Sequence, residues 1–197
     1  MQTMNITVPL EDRFFLKYLN LNMEEGPWIA GGSVMKWVQG KPVKHHDVDV
    51  FCASEKQFED VTARCAAMGV KCGIVANTEN AVTYELRDKH GNKTHNLQVI
   101  KKHFFQTARD VILAFDLVVC QFVTDGKQVV HTNQAMTDLK TKRINIASKN
   151  GSLPKRILKY MTYGFAPSEQ TIEYIQNHTE EMSYDYTGAV DYDNAFG

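Results

Sequence analysis

Short apolar runs alternate along the chain with amphipathic segments, a pattern that predicts strands separated by helices. Between Leu10 and Leu21, apolar residues recur at a spacing that predicts a helix packed by one broad face. The apolar run of residues 27–30 stops at a pair of glycines, and residues 33–38 then show a helical pattern that ends at Gly40. This segment is therefore predicted as a strand, a glycine turn and a helix.

The middle of the chain carries the pattern of a sheet. Residues 48–52 have the β-branched density of a buried strand. Residues 82–86 and 97–100 are apolar segments on either side of a polar turn, which predicts a β-hairpin. The same patterns predict further elements: helices over 58–68 and 104–113, and strands over 70–75 and 115–123.

Helical patterns dominate the last third of the chain. Two helices are predicted over 153–163 and 168–176, separated by a segment with glycine and proline. Residues 177–197 contain five acidic residues and no lysine or arginine, which predicts an acidic, mobile or partner-dependent tail. Together the patterns predict an α/β (α+β) fold, with a mixed sheet flanked by helices in residues 1–133 and a short helical extension over 134–176.

Composition and charge narrow the class of protein. A chain of 197 residues with 43% hydrophobic and 23% charged residues can bury a core without disulfides. The formal net charge of -1 excludes a global basic field, so any nucleic-acid partner would have to be bound locally. The four cysteines lack C-x-x-C spacing, and no run approaches the roughly 18 apolar residues of a membrane span. We therefore expect a cytoplasmic protein with reduced thiols and no membrane partner.

Two carboxylates in the predicted strand are candidate metal ligands. Asp47 and Asp49 are two positions apart, so their side chains point to the same face of the strand. Paired carboxylates are ligands for Mg²⁺ or Mn²⁺, which complete their shells with waters and substrate phosphates. A pair of this kind also occurs at solvated strand ends, so taken alone it leaves both interpretations open.

The upstream turn is a candidate phosphate site. Gly31 and Gly32 would let the backbone approach a phosphate closely, and Ser33 lies near a helix N-terminus, where free N–H groups favour anions. Taken alone, the turn is equally typical of a strand-to-helix connection with a serine cap. Beside Asp47 and Asp49, it indicates a site that binds phosphate at one end and metal at the other.

The spacing of these motifs resembles the signature of the polymerase-beta-like nucleotidyltransferase superfamily. Residues 29–33 (IAGGS) are followed, after thirteen residues, by residues 47–50 (DVDV). The stretch 31–51 is especially similar to the head domain of bacterial poly(A) polymerases and CCA-adding enzymes, and to small standalone relatives that are often viral. Later motifs of those enzymes are matched in the same order by residues 115–117, 125–126, 138–140, 156–160 and 164–165.

The resemblance implies a metal-dependent nucleotidyltransferase with a minimal catalytic domain in residues 1–133. Such an enzyme moves a nucleoside monophosphate from an NTP such as ATP to an acceptor hydroxyl and releases pyrophosphate, with Mg²⁺ or Mn²⁺ held by Asp47 and Asp49. The acceptor stays open among RNA, protein and small molecules, as does the oligomeric state; a viral protein of this kind would act in the host cytoplasm. The implied nucleotide-binding residues are Gly31, Gly32, Ser33, Lys44, Arg156, Lys159 and Tyr160.

The last three of these residues also share a pattern of their own. Arg156, Lys159, Tyr160 and Tyr163 recur at helical spacing, which places them on one face that could contact a triphosphate or stack on a base. The lysine is equally consistent with a plain solvated charge. The resemblance favours a nucleotide or acceptor contact.

One part of the family motif is not matched. By its place on the hairpin strand, the slot of the third catalytic carboxylate is Gln98, which lacks a charge and would weaken one metal site. Asp116 is the natural substitute as a catalytic acid, although its counterpart in larger relatives holds the nucleotide, and a buried or capping role is also open. Three functions remain in competition: an enzyme, a nucleotide sensor without turnover, and an interaction subunit.

Overall fold

Eight strands assemble into one mixed sheet in the computed structural model, which describes residues 1–44, 46–149 and 153–178. The strands are β1 (Gln2–Asn5), β2 (Trp28–Ala30), β3 (Asp47–Phe51), β4 (Cys72–Asn77), β5 (Ala81–Arg87), β6 (Lys93–Ile100), β7 (Phe122–Thr124) and β8 (Gln128–His131). Their order is β1-β8-β7-β2-β3-β6-β5-β4, and β3 runs parallel to β6 while the other neighbours are antiparallel. The predicted mixed sheet is confirmed.

Seven helices accompany the sheet in the described residues. They are α1 (Arg13–Leu19), α2 (Gly32–Val38), α3 (Glu55–Ala66), α4 (Ala108–Leu113), α5 (Asn133–Thr141), α6 (Leu153–Thr162) and α7 (Glu169–Asn177). Side-chain caps explain several starts: Ser54, Thr107, Thr132 and Ser168 each accept a hydrogen bond from a backbone N–H in the first turn of α3, α4, α5 and α7. None of the described helices is long and apolar enough to cross a membrane.

The sheet presents two different faces at β3. Val48 and Val50 are fully buried on one face, while Asp47, Asp49 and Phe51 alternate onto the other. The ring of Phe51 packs against those of two phenylalanines that flank α4, Phe105 and Phe115, with both centroid distances at 5.9 Å. The aspartates therefore sit on the face of the sheet that these aromatic rings cover in part.

The prediction of a strand over 115–123 is wrong for most of that segment. Residues Val118–Cys120 form a 3₁₀ turn, and the strand β7 begins only at Phe122. The backbone here pairs with the later segment 145–148 instead of with the sheet: the carbonyl of Asp116 accepts a hydrogen bond from Ala147 N. Because the run is buried throughout, its apolar character could not distinguish a strand from a buried turn.

The predicted helical extension over 134–176 also contains strand structure. Two short strands, β9 (Arg143–Ile144) and β10 (Ala166–Pro167), pair in parallel and join the chain before α6 to the chain after it. An isolated bridge between Leu117 and Ile146 ties the extension to the sheet domain. Of the predicted acidic tail, residues 179–197 lie outside the described part of the chain.

A buried polar network fixes α1 and α2 against the opposite face of the sheet. One carboxylate oxygen of Asp12 accepts hydrogen bonds from Trp37 Nε1 (2.6 Å) and from Val43 N (2.9 Å). The other oxygen lies 2.7 Å from His95 Nε2, and Asp12 is fully buried. Although burial raises the pKa of Asp12, the hydrogen bonds from His95, Val43 and Trp37 more than offset this and lower it.

We expect Asp12→Ala to lower the free energy of unfolding by about 3 kcal/mol, because the buried donors of Trp37 and His95 would lose their acceptor. Urea denaturation followed by circular dichroism measures the change. Glu11→Ala is the matched control, since Glu11 is the exposed neighbour in the same turn. Equal stability of the two variants would show that the network contributes nothing.

Candidate nucleotide and metal site

The register of β3 places Asp47 and Asp49 between two neighbouring strands. Asp49 lies opposite Ala30 of β2 and opposite Gln98 of β6. Asp47 lies opposite Asn96, whose side-chain amide donates a hydrogen bond of 2.9 Å to Asp47 Oδ1. Each aspartate therefore has an amide side chain, and no third acid, as its neighbour on β6.

The two carboxylates repel each other. Burial and, next, the charge of Asp47 raise the pKa of Asp49 to about 7, against the opposing influence of Lys159 and Arg156. A divalent cation bound between the two carboxylates would offset both the burial of Asp49 and its repulsion by Asp47. The donor set therefore fits Mg²⁺ or Mn²⁺. Among the described residues, no group of three or more His, Cys, Asp and Glu side chains could hold a metal ion.

The glycine turn is packed so tightly that side chains are excluded. Gly31 has φ +85°, and a Cβ there would lie 2.9 Å from the ring of Phe115 and 3.9 Å from Asp49 Oδ2. A Cβ on Gly32 would lie 3.0 Å from the hydroxyl oxygen of Tyr160. The turn thus lies against Asp49 on one side and α6 on the other.

The alternative interpretation of Ser33 as a helix cap is wrong. Gly31 occupies the cap position, and α2 begins at Gly32. Ser33 is 5% exposed, and its hydroxyl has no hydrogen-bond partner among the described residues. Buried polar groups nearly always have a partner, so this hydroxyl is an exception in the turn beside Asp49.

Asp116 is paired with α6. Its fully buried carboxylate forms an ion pair with Arg156, with Nη1 and Oδ1 2.7 Å apart. Arg156 Nη2 also lies 3.6 Å from Cys120 Sγ, and that thiol donates a hydrogen bond of 2.9 Å to the hydroxyl of Tyr160. The network holds α6 against the glycine turn, so positioning is the role that the contacts of Asp116 support most directly.

The polar face of α6 lies beside the aspartates. The charges of Lys159 and Arg156 oppose the rise in the pKa of Asp49. Burial and, to a smaller extent, the charge of Asp47 raise the pKa of Tyr163. Tyr160 is only 5% exposed, so it is not available for stacking on a base. Its hydroxyl packs against Gly32 of the turn. Arg156 and Lys159, although far from the aspartates in sequence, thus belong to the same site.

One basic residue beside the site was missed in the sequence, and one predicted residue, Lys44, makes no contact with it in the described part of the chain. Lys36 of α2 lies over the ring of Tyr163, with its Nζ 5.0 Å from the ring centroid. The signal in the sequence is its position three residues after Ser33, on a neighbouring part of the helix surface. Lys44 is exposed in the turn before β3, and within the described part of the chain it makes no hydrogen bond or ion pair.

Comparison with known proteins places the chain in a family. The family model described as Gabija anti-defense 2 family protein matches residues 9–142. The chain belongs to the Gabija anti-defense 2 family. A search of curated protein sequences gives no match.

Solved structures share the fold of this family member. A Thermotoga maritima CCA-adding enzyme complexed with tRNA aligns with a TM-score of 0.62 and 16% identity, over 92% of this chain and 47% of the enzyme. A CCA-adding enzyme with CTP gives a TM-score of 0.61 at 16% identity, over 92% of this chain and 47% of the enzyme. The Bacillus stearothermophilus CCA-adding enzyme in complex with CTP gives a TM-score of 0.52 at 16% identity, over 77% of this chain and 39% of the enzyme. The chain thus has a nucleotidyltransferase-like fold, as its sequence predicts, and spans less than half of each of these enzymes.

Gly31→Ala should destabilise the protein more than Gly40→Ala does. Both glycines have positive φ, but a Cβ at Gly40 would have no atom within 4 Å, whereas one at Gly31 would meet Phe115. The control substitution should cost about 1 kcal/mol from backbone strain alone, and Gly31→Ala should cost about 1–3 kcal/mol more from overpacking. Chemical denaturation of both variants tests this; equal losses would mean that the turn tolerates a side chain.

Proposed function

We propose that the protein transfers a nucleoside monophosphate from an NTP to an acceptor hydroxyl and releases pyrophosphate. The observation that carries this proposal is the position of Asp49, which lies partly buried beside Asp47 and next to the glycine turn. A pair of acids that repel each other beside a backbone open to phosphate supports binding of an NTP with its metal. The nucleotidyltransferase-like fold supports the same reaction class.

Asp47 and Asp49 are the proposed metal ligands, and Mg²⁺ or Mn²⁺ is the proposed metal. When bound, such an ion would neutralise phosphate charge and polarise the phosphorus that is attacked. The donor set of two carboxylates fits an ion that keeps water and phosphate oxygens in its shell.

The remaining residues of the site have proposed roles in binding. The backbone at Gly31 and Gly32 and the hydroxyl of Ser33 would contact the phosphates, and Lys159 would contribute positive charge. Arg156 and Tyr160 would act mainly by holding α6 against the turn, since both are tied into the buried network with Cys120. Lys44 would contact phosphate only at the edge of the site.

The family description suggests the biological setting of the reaction. We infer that nucleotidyl transfer by this protein inactivates a component of the defence system after which the family is named. The related structures contain CTP or tRNA, so an RNA acceptor is one candidate beside protein and small molecules. Incubation with each labelled NTP, Mg²⁺ and the RNA, protein and small-molecule fractions of susceptible cells would identify the acceptor from the fraction that carries label.

Asp47→Asn and Asp49→Asn should each reduce label transfer by at least about 10²-fold, because a metal ligand is lost. Asp49→Asn should also be more stable than the wild type at pH 8 without metal. The unfolded Asp49 ionises near its ordinary pKa of 3.8 and the folded one near 7, so the wild type loses stability as the pH rises between these values, and the variant does not. Transfer at the wild-type rate by either variant would exclude the proposed metal site.

Binding without turnover is the second candidate function, and Gln98 favours it. Gln98 lies directly opposite Asp49 on the parallel neighbour β6, where an acid would complete the metal site nearest the attacking hydroxyl. A neutral amide there could leave the nucleotide bound but unreacted. The protein would then sequester or sense nucleotides.

Turnover by the wild type distinguishes the two candidates, and Gln98→Glu tests whether the slot only lacks its acid. If the slot only lacks its acid, this variant should raise the transfer rate, because a charged oxygen would join Asp47 and Asp49 at the metal. Asp116→Asn should leave the chemical step within about tenfold and weaken nucleotide affinity through its effect on α6, whereas loss of a positioned catalytic acid would cost about 10²–10⁴-fold in rate. Single-turnover kinetics separates these effects. A large loss confined to the chemical step in Asp116→Asn would restore Asp116 as a catalytic acid.

A further inference from the structure

We propose that β4 (Cys72–Asn77) is an interaction edge at which a second copy of this chain pairs its own β4 in antiparallel fashion, about a two-fold axis. The inference goes beyond the nucleotidyl-transfer reaction and does not depend on it. Two strands, β6 and β5, separate β4 from the strand that carries Asp47 and Asp49. In the dimer, the β4 strands of the two copies would lie side by side at the centre of one continuous sheet.

The position of β4 in the sheet leaves one of its sides open. β4 is the last strand in the order, and among the described strands it pairs with β5 alone. The backbone N–H and C=O groups along its other side are therefore available to a further strand. Five of the six residues of β4 are exposed, and the first is partly buried. The edge is thus accessible over nearly the whole strand.

The composition of β4 is unusual for a free edge. Sheet edges are commonly blunted by charged side chains, proline, short length or a bulge, and the sequence CGIVAN contains no charge and no proline. A bulge falls between Ile74 and Ala76, and Ile74 and Val75 remain 61% and 55% exposed. The opposite edge, β1, is shorter and has the sequence QTMN. Two exposed β-branched apolar residues at the centre of β4 favour pairing with another chain.

The charges at the two ends of β4 favour a second copy as the partner. Lys71 directly precedes the strand and Glu79 follows it, and both side chains are exposed. Neither forms an ion pair in the described part of the chain. Val75 is the midpoint between them, so an antiparallel pairing centred on Val75 sets Lys71 of each copy opposite Glu79 of the other. Two opposite-charge pairs around an uncharged centre form the self-complementary surface that a two-fold interface requires.

The small size of this interface determines how strongly the copies associate. Each copy contributes one strand and two exposed apolar side chains, so we expect the dimer to bury less than the roughly 1,200 Å² of stable complexes. Dimerisation should therefore be weak and depend on concentration, with a Kd on the order of 10–100 µM.

Sedimentation equilibrium of the full chain, over roughly 1–500 µM and without metal or nucleotide, tests the proposal. The wild type should pass from monomer to dimer across this range. Val75→Lys should raise the Kd by at least about tenfold, since two ammonium groups would meet at the centre of the paired strands. Leu113→Lys is the matched control, because it removes a comparably exposed apolar side chain (52%) at the end of α4 and adds the same charge. This control should keep the Kd within about twofold of the wild type.

Charge reversal tests the register of the pairing. Lys71→Glu and Glu79→Lys should each raise the Kd by about threefold to tenfold, because each change turns both opposite-charge pairs into like-charge pairs. The double variant restores opposite charges across the interface and should return the Kd to within about twofold of the wild type. Both positions are exposed, so equal melting temperatures of the monomers are expected and confirm that folding is unaffected.

Three results of these measurements would overturn the proposal. The first is a wild type that stays monomeric at about 500 µM, which would leave β4 to a strand of a different protein. The second is a dimer that Val75→Lys leaves intact, and the third is a double charge variant that dimerises no better than the single ones. Hydrogen–deuterium exchange locates the interface independently. The backbone amides of β4 should exchange more slowly at high than at low protein concentration, and protection confined to other strands would contradict the pairing.

Discussion

The repulsion between Asp47 and Asp49 is the interaction on which the site depends. Burial and, next, the charge of Asp47 on the same face of β3 raise the pKa of Asp49 to about 7. The surrounding structure is arranged to tolerate the pair: an amide of Asn96 donates to one acid, while Lys159 and Arg156 partly offset the charge of the other. A bound divalent cation would relieve this repulsion, and the proposed metal-dependent chemistry rests on that argument.

The fold places two segments, the glycine turn and α6, beside the pair. The glycine turn lies beside Asp49, and a Cβ at Gly31 or Gly32 would press on Phe115 or on the hydroxyl of Tyr160. The ion pair of Asp116 and Arg156 then holds α6 against that turn. The extension is therefore part of the site, and its loss would remove the positive charge that faces the aspartates.

Local patterns were sufficient to predict much of this arrangement. The strand, turn and helix around Gly31, the strand of Asp47 and Asp49, and the hairpin of β5 and β6 each follow from periodicity and turn residues within a short window. The run 115–123 was misassigned because a continuously buried apolar segment carries no periodicity to separate a strand from a 3₁₀ turn. The pairing of Lys36 with Tyr163 could not be predicted, because it arises from the packing of two helices far apart in the chain. The placement of Gln98 beside Asp49 followed from the family pattern and agrees with the observed register.

The proposed site requires that Asp47 and Asp49 form a repelling pair that a divalent cation completes. Carboxyl ¹³C NMR of the labelled protein measures the titration of Asp49 directly, with and without Mg²⁺. We expect a pKa of about 7 for Asp49 in the absence of metal and a marked decrease when Mg²⁺ is added, because the cation favours the ionised form. An ordinary pKa that Mg²⁺ leaves unchanged would contradict it.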